Sequence, residues 1–190
     1  STYFSVFKIH QKSNSITKSS PYGSLENPIN PLEIILSAGC SFVARAIDND
    51  HSNLKKIIIE SMQTKGTSFI EVLQTCNVFN NDIYKEINDK NTRLEKILYL
   101  KDGEKLEFGE KDKYILSLSK DLNLKKEKID ENIDKNQILH DTKSENILQI
   151  ILSKIDYYSI PYPVGIFRNV KKETYDERLE LKSKNTKNIT

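Results

Sequence analysis

Thr67-Ser68-Phe69-Ile70-Glu71-Val72-Leu73-Gln74-Thr75-Cys76-Asn77-Val78-Phe79-Asn80 is the stretch from which the rest of the chain can be read. Phe69 to Leu73 is an apolar, partly β-branched run of the kind found in a buried strand, and it ends in a polar turn that carries a cysteine. Cys76 therefore stands just past the C-terminal end of a strand. In open α/β sheets ligands and cofactors bind outside that end, which makes Cys76 the first candidate for chemistry.

Working outward toward the N-terminus, Gly66 closes a helix predicted from Asn53 to Lys65, with Leu54, Ile57, Ile58 and Met62 on one face. Asp48 to Ser52 reads as a polar loop, and Ser41-Phe42-Val43-Ala44-Arg45-Ala46 as a second buried strand. Before it comes a well-signalled helix. Asn30 is a good N-cap, Pro31 suits the first helical position, and Glu33 can reach back to the cap. Leu32, Ile35 and Leu36 give it an apolar face, and Gly39 fits the left-handed position past its end. The order helix, strand, helix, strand in short units predicts adjacent parallel strands with a right-handed crossover. Neither strand shows polar alternation, as expected of strands buried on both faces. The fold class is α/β, built on a mostly parallel sheet.

Downstream, Asp82 to Lys96 reads as a charged helical segment. Ile97-Leu98-Tyr99-Leu100 and Lys105-Leu106-Glu107-Phe108 look like a hairpin about Asp102-Gly103. Lys120 to Asn136 is charge-rich and poor in large apolar residues, and is expected to be exposed or mobile. Thr142 with Glu145 forms a capping box for a helix ending near Asp156, with Leu148, Ile151, Leu152 and Ile155 as its stripe. Pro161-Tyr162-Pro163-Val164-Gly165-Ile166-Phe167-Arg168 is extended, and its prolines predict an edge strand. Lys182 to Thr190 reads as a disordered tail. At the other end, Tyr3-Phe4-Ser5-Val6-Phe7 could be a strand and Pro21-Tyr22-Gly23 a turn. The chain opens without Met and reads as a piece of something longer.

Composition narrows the function. With 190 residues, 37% hydrophobic and 29% charged, the chain can bury one substantial core. No apolar run approaches the roughly 18 residues of a spanning helix, and Ser1 to Asn14 lacks a signal-peptide core, so a soluble cytoplasmic protein without a membrane partner is expected. The +2 charge comes from 29 basic and 27 acidic residues spread along the chain, which offers no concentrated field for nucleic acid. Cys40 and Cys76, the two cysteines, fall at opposite ends of neighbouring strands, roughly 15 Å apart. A disulfide needs Cα atoms within about 7 Å, so they are not expected to pair.

Several blocks carry a family resemblance. Ser19-Ser20-Pro21-Tyr22-Gly23, Asn27-Pro28-Ile29-Asn30-Pro31-Leu32, Gly39-Cys40-Ser41-Phe42-Val43-Ala44-Arg45 and the run from Lys65 to Asn80 resemble, in order and spacing, the C-terminal half of the beta subunit of 2-oxoacid:ferredoxin oxidoreductases. His140-Asp141-Thr142, Pro163-Val164-Gly165-Ile166-Phe167-Arg168 and Thr174-Tyr175 resemble that family's closing segment. The resemblance implies a partial sheet of the thiamine-diphosphate-binding type with an α+β C-terminal extension. It divides the chain into part of that domain (1–80), a charged insertion (81–136), a helix–strand segment (137–181) and a tail (182–190).

What the resemblance implies about chemistry is specific at one residue. The family's beta subunit binds thiamine diphosphate through magnesium, and a 4Fe-4S cluster through four cysteines, the last of which stands where Cys76 stands here. A soft thiolate is the ligand type such a cluster requires. The family's Gly-Asp-Gly turn, its Gly-Gln-Ser-Pro-Thr type segment and its C-x-x-C are absent, since Asp102-Gly103 lacks the preceding Gly. Glu173 also replaces the usual Pro. The chain alone therefore completes neither site, and the partners implied are the alpha subunit, the N-terminal part of the beta subunit, ferredoxin and coenzyme A. The activity implied is oxidative decarboxylation of a 2-oxoacid to an acyl-CoA. The alternative is a non-catalytic α/β interaction module, or degenerate paralogue, that keeps only a docking surface.

Other candidates read as structural. Cys40 lies between a helix-closing Gly and a strand, as a small buried hydrophobe would. His140 with Asp141 suggests acid–base work, but a helix cap accounts for the pair. Lys18, Ser19 and Ser20 could touch a phosphate, though a polar linker explains them equally well. His10 and His51 look like solvated loop residues.

Overall fold

The computed structural model describes residues 22, 29–74, 84–129, 137–156 and 161–187. In chain order these form α1 (Pro31–Ser37), β1 (Phe42–Ile47), α2 (His51–Gln63), β2 (Ser68–Leu73), α3 (Lys85–Asn88), α4 (Lys90–Lys96) and β3 (Ile97–Leu100). Then follow β4 (Glu107–Phe108), β5 (Tyr114–Leu118), β6 (Leu124–Lys128), α5 (Ile147–Ser153), β7 (Tyr162–Asn169) and α6 (Tyr175–Lys187). The strand and turn expected at Tyr3–Phe7 and Pro21–Gly23 lie outside the described residues, apart from Tyr22, which sits in a turn.

The main sheet has the order β2-β1-β7-β3. β1 and β2 run parallel with Phe42 opposite Ser68 and Ile47 opposite Leu73, as the alternation of helix and strand predicts. β7 pairs antiparallel with β1 and parallel with β3, so two of the three pairings are parallel. α1 starts as read: Asn30 accepts the Glu33 N–H at 3.3 Å, and Gly39 takes φ +76°. α2 starts earlier than expected, at His51, because Asp50 caps it by accepting the Asn53 N–H. Of its predicted face, Ile57 is buried while Ile58 and Met62 are exposed. β2 is likewise less enclosed than a strand buried on both faces. It forms the sheet's edge, and Val72 is 44% exposed.

Two strand expectations are corrected. β7 is an inner strand, and its prolines do not place it at an edge. Pro163 lies beyond the β1–β7 register, which runs from Gly165 to Asn169, so its missing N–H takes nothing from that ladder. Gly165 is needed where β7 meets β3. Its φ is +128°, and a Cβ there would sit 2.6 Å from the Leu100 carbonyl oxygen. Nor do Ile97–Leu100 and Lys105–Phe108 form a hairpin. Ile97–Leu100 finds a more apolar partner in β7, and Glu107–Phe108 pairs with β5 in a second sheet, β4-β5-β6.

Part of the charge-rich stretch is the strand β6, antiparallel to β5; Lys125 to Lys128 are exposed, as expected, but ordered in that second sheet. Residues 130–136 lie outside the described residues. Lys126 crosses the strand pair with its ammonium 3.9 Å from the centre of the Tyr114 ring and 5.2 Å from that of Phe108, so a cation rests on an aromatic pair. The closing segment differs in detail too. α5 begins at Ile147 and is capped by Asn146, not Thr142, and it ends at Ser153. The expected disordered tail is helical to Lys187, because Thr174 and Glu177 form a capping box and Lys65 binds Glu177.

The core divides about the sheet. Leu32 and Leu36 of α1 and Leu148 and Leu152 of α5 pack with Val43 and Phe167 on one face. Toward the end of that face where β1 and β2 finish, Ile47, Leu73, Tyr84, Ile87, Ile97, Tyr162 and Val164 cluster. On the other face α2 covers Phe42, Ala44 and Ala46 through Ile57.

Candidate functional site

The site to which the sequence points is the rim where β1 and β2 end together. Asp48 donates its N–H to the Leu73 carbonyl at 3.1 Å, which extends the ladder one step past β1 and fixes the end of β2. Just inside this rim lies a buried charge pair that apolar strands do not advertise. Arg45 is 0% exposed, and its Nε donates to Glu71 Oε2 at 2.5 Å across the parallel strands. Nη1 donates to the Pro163 carbonyl at 3.2 Å, and the guanidinium lies 4.1 Å over the Tyr162 ring and 5.5 Å from that of Phe167. Among the described residues Nη2 has no hydrogen-bond partner. Burial holds the Tyr162 hydroxyl well above its ordinary range, so it stays protonated. A buried cation is tolerated here because a carboxylate, a carbonyl and aromatic faces surround it.

Beside the rim, Asp50 organises a second polar group. It caps α2, accepts the Tyr99 hydroxyl at 2.9 Å and lies 3.9 Å from Arg93 Nη1. Burial, then the bond to Asp50, push the Tyr99 hydroxyl up to about 12. Arg93 in turn donates Nε to the Ile87 carbonyl at 2.6 Å and Nη2 to Asn49 and to the Asn88 carbonyl. α2, α3, α4 and β3 are thus held together at the end of the sheet where β2 releases the chain toward Cys76.

Cys76 itself lies outside the described residues, as do His10, Lys18, Ser19 and Ser20. What the structure gives is the strand before it, which ends at Leu73. Cys40 is free and buried; its thiol donates to the Thr67 and Phe42 carbonyls at 3.0 and 3.3 Å, and burial raises its pKa. His51 is exposed at the first turn of α2, in a helix and not in a loop.

His140 and Asp141 do not work as a pair, and neither caps α5. His140 is 1% exposed, its Nε2–H donates to the Ile166 carbonyl at 2.7 Å, and burial lowers its pKa, so it is neutral. Asp141 is exposed and accepts from Ser144 and the Lys143 N–H. Asp102 accepts both the N–H and the hydroxyl of Thr142, at 2.9 and 2.7 Å, so the Asp-Gly turn fastens the closing segment. Arg168 is the further charge missed in the sequence. Its Nε donates to Gln149 at 2.8 Å and its Nη1 to the Leu36 carbonyl at 2.8 Å, which joins β7 to α5 and α1. The signal for Arg45, Glu71 and Arg168 was available: each is a charge inside an otherwise apolar strand, and such a charge needs a buried partner.

Among the described residues, no group of three or more His, Cys, Asp or Glu side chains could hold a metal. No helix among them is long and apolar enough to cross a membrane.

No protein-family model matches the chain. The 2-oxoglutarate oxidoreductase subunit KorB of Mycobacterium tuberculosis is 30% identical over 164 residues, covering 85% of this chain and 43% of that protein. Over most of its length the chain is similar to beta subunits of 2-oxoacid:ferredoxin oxidoreductases. A second beta subunit, from Saccharolobus solfataricus, is 40% identical over 74 residues, which are 39% of this chain and 24% of that one. The solved 2-oxoglutarate:ferredoxin oxidoreductase from Magnetococcus marinus, with 2-oxoglutarate, coenzyme A and succinyl-CoA bound, superposes with a TM-score of 0.58 at 18% identity. That match covers 92% of this chain and 45% of the solved chain, and it shows the shared α/β fold. The chain spans less than half the length of these beta-subunit relatives.

Proposed function

We propose that the chain supplies part of the beta subunit of a 2-oxoacid:ferredoxin oxidoreductase, an enzyme that decarboxylates a 2-oxoacid oxidatively to an acyl-CoA and passes the electrons to ferredoxin. The observation that carries the reading is the pair β1 and β2, parallel and ending together at one rim, in a chain whose beta-subunit relatives match it over 85% of its length. Thiamine diphosphate would supply the electron sink for the carbanion. The described residues do not by themselves fit either cofactor. They include one cysteine, Cys40, whose thiol is buried against backbone carbonyls, and no acidic cluster for a magnesium diphosphate.

Within the enzyme this chain's part is to form the wall beneath the rim. Arg45 and Glu71 fix β1 against β2, the Asp50–Tyr99–Arg93 group fixes the next segment, and Cys76 just past β2 is the proposed thiolate ligand of a 4Fe-4S cluster. The alpha subunit, the remaining portion of the beta subunit, ferredoxin and coenzyme A are the proposed partners. The test is to purify the chain with the polypeptides it assembles with, then assay 2-oxoacid-dependent ferredoxin reduction with and without coenzyme A. Coenzyme-A-dependent reduction is expected; an assembly that binds its partners yet reduces no ferredoxin with any 2-oxoacid would overturn the reading.

A further inference from the structure

We propose that Leu139 to Thr142 is an acid-released clasp, in which His140 holds the Asp102–Glu104 turn against β7 and lets go when its imidazole takes a proton. This goes beyond the family reading and does not depend on it.

The clasp is built first from backbone. Gly103 donates its N–H to the His140 carbonyl at 2.7 Å, His140 donates its own to the Glu104 carbonyl at 2.9 Å, and Lys105 pairs antiparallel with Leu139. Thr142 then gives its N–H and its hydroxyl to Asp102 and accepts the Asn169 N–H at 2.7 Å. The segment thus lies between the β3–β4 turn and β7, at the end of the sheet away from the rim. Leu139 and the turn also wall a cleft of about 720 Å³ whose other side includes Tyr99 and Phe108, so release of the clasp opens that wall.

The His140 ring crosses to β7, where Nε2 lies 2.7 Å from the Ile166 carbonyl. A carbonyl only accepts, so the proton sits on Nε2 and Nδ1 is left with a lone pair. Nδ1 is buried and has no hydrogen-bond partner among the described residues. Protonation turns it into a donor. It then adds an unmet N–H and a charge to a residue that is 1% exposed, and both are relieved only when the ring swings out to water.

The charged groups around the ring do not offset this. From the turn comes Asp102, occupied by Thr142 and 4.0 Å from Lys143 Nζ, with the exposed pair of Lys101 and Glu104 beyond it. The ring's own segment supplies Asp141, exposed and bound to Ser144 and the Lys143 N–H. β7 offers the Ile166 carbonyl and, two residues on, Arg168, which is turned to Gln149 and the Leu36 carbonyl. Asp102 and Asp141 favour the imidazolium, but burial outweighs them and keeps the clasped ring neutral. Hydrogen bonds hold both carboxylates below their ordinary 3.8, so histidine is the part of the clasp that changes charge above about pH 5.

The test is amide hydrogen exchange on the protein as it assembles, read at single amides by mass spectrometry after electron-transfer fragmentation. Each observed rate is divided by the intrinsic rate of that amide at the same pH, which gives an opening constant. For Gly103 and Asn169 this constant should rise about three- to tenfold from about pH 7.5 to about pH 5.5, since the opened ring binds its proton near 6.5 and the clasped ring does not. Low urea should leave these two amides nearly unchanged while it speeds Asp48, which donates to Leu73 at the rim. In His140→Gln, whose side chain can still donate to Ile166 but does not titrate, the rise should vanish. Thr142→Val keeps His140 and removes the hydroxyl bond to Asp102, so both amides should exchange faster at either pH with the same rise. The proposal is overturned by opening constants that ignore pH, by an equal rise in His140→Gln, or by protection unchanged in Thr142→Val. A urea response of Gly103 and Asn169 as steep as that of Asp48 would also overturn it, since acid would then act through the whole fold.

Discussion

Arg45 and Glu71 stand on neighbouring parallel strands, outside each other's register by nothing: they are direct partners in the β1–β2 ladder and their side chains meet at 2.5 Å in the interior. Such a pair is costly to half-remove, because the survivor is a buried charge without compensation. Arg45→Met or Glu71→Leu alone should therefore lower stability by about 3–5 kcal/mol. The double variant should lose much less, since neither charge remains to be desolvated. Urea unfolding of the four proteins checks this; additive losses would mean that the two side chains are energetically independent.

His140 gives the fold a defined sensitivity to acid. Burial lowers its pKa, so the folded chain holds the imidazole neutral while the unfolded chain protonates it near its ordinary value. Its contribution is thus fully present above about pH 6.5 and is lost as pH falls below that value. Asp102 and Asp141 are shifted down from 3.8, so their own losses come at lower pH and leave the window from about 5 to 6.5 to histidine. The unfolding free energy of the chain should decline through that window, and His140→Gln should flatten the decline. An equal slope in the variant would place the titration elsewhere.

Gly165 tests how tightly β3 and β7 meet. Its φ of +128° is strained for any side chain, and a Cβ would meet the Leu100 carbonyl oxygen, a backbone atom that cannot swing aside. Gly165→Ala should cost on the order of 2 kcal/mol or more. Gly103→Ala is the useful contrast, because nothing lies within 4 Å of a Cβ there and only the positive φ of +74° penalises it. Thermal unfolding that ranks the second variant as worse would contradict the close approach.

Legibility followed the range over which each element is determined. α1 was readable to the residue because its cap, its proline and its closing glycine are local. The β1–β2 pair was readable because one crossover connects the two strands. β3 was not, since its partner β7 lies more than sixty positions later and the intervening Asp102-Gly103 offered a local hairpin in its place. β6 was hidden by its lysines, which an exposed strand carries and an unstructured segment carries too. α6 was hidden because its few apolar residues, Tyr175, Leu179 and Leu181, stay exposed, and it is held by a capping box and an ion pair, not by a buried apolar stripe. At the site, the rim could be foreseen from the strand ends. Its charges could be seen as charges inside apolar strands, but their pairing could not, because Arg45 and Glu71 find each other only when β1 and β2 are laid side by side.

Cys76 is where the functional proposal can be tested on one atom. Ser is nearly isosteric with Cys, and β2 is anchored before the site by the bond from Asp48 to Leu73, so Cys76→Ser should leave the fold and assembly intact. A hydroxyl is a harder and poorer ligand for iron than a thiolate, so iron content should drop and ferredoxin reduction should fall at least about tenfold. Decarboxylation on thiamine diphosphate is a separate step, and exchange of labelled carbon dioxide into the 2-oxoacid should survive in part. The three quantities are measured side by side on the assembled enzyme, with Cys40→Ser as the comparison. Cys40 donates its thiol to two backbone carbonyls, which a hydroxyl can also do, so that variant should keep its iron and its activity. Unchanged iron and unchanged ferredoxin reduction in Cys76→Ser would remove Cys76 from the cluster and leave it a packing residue.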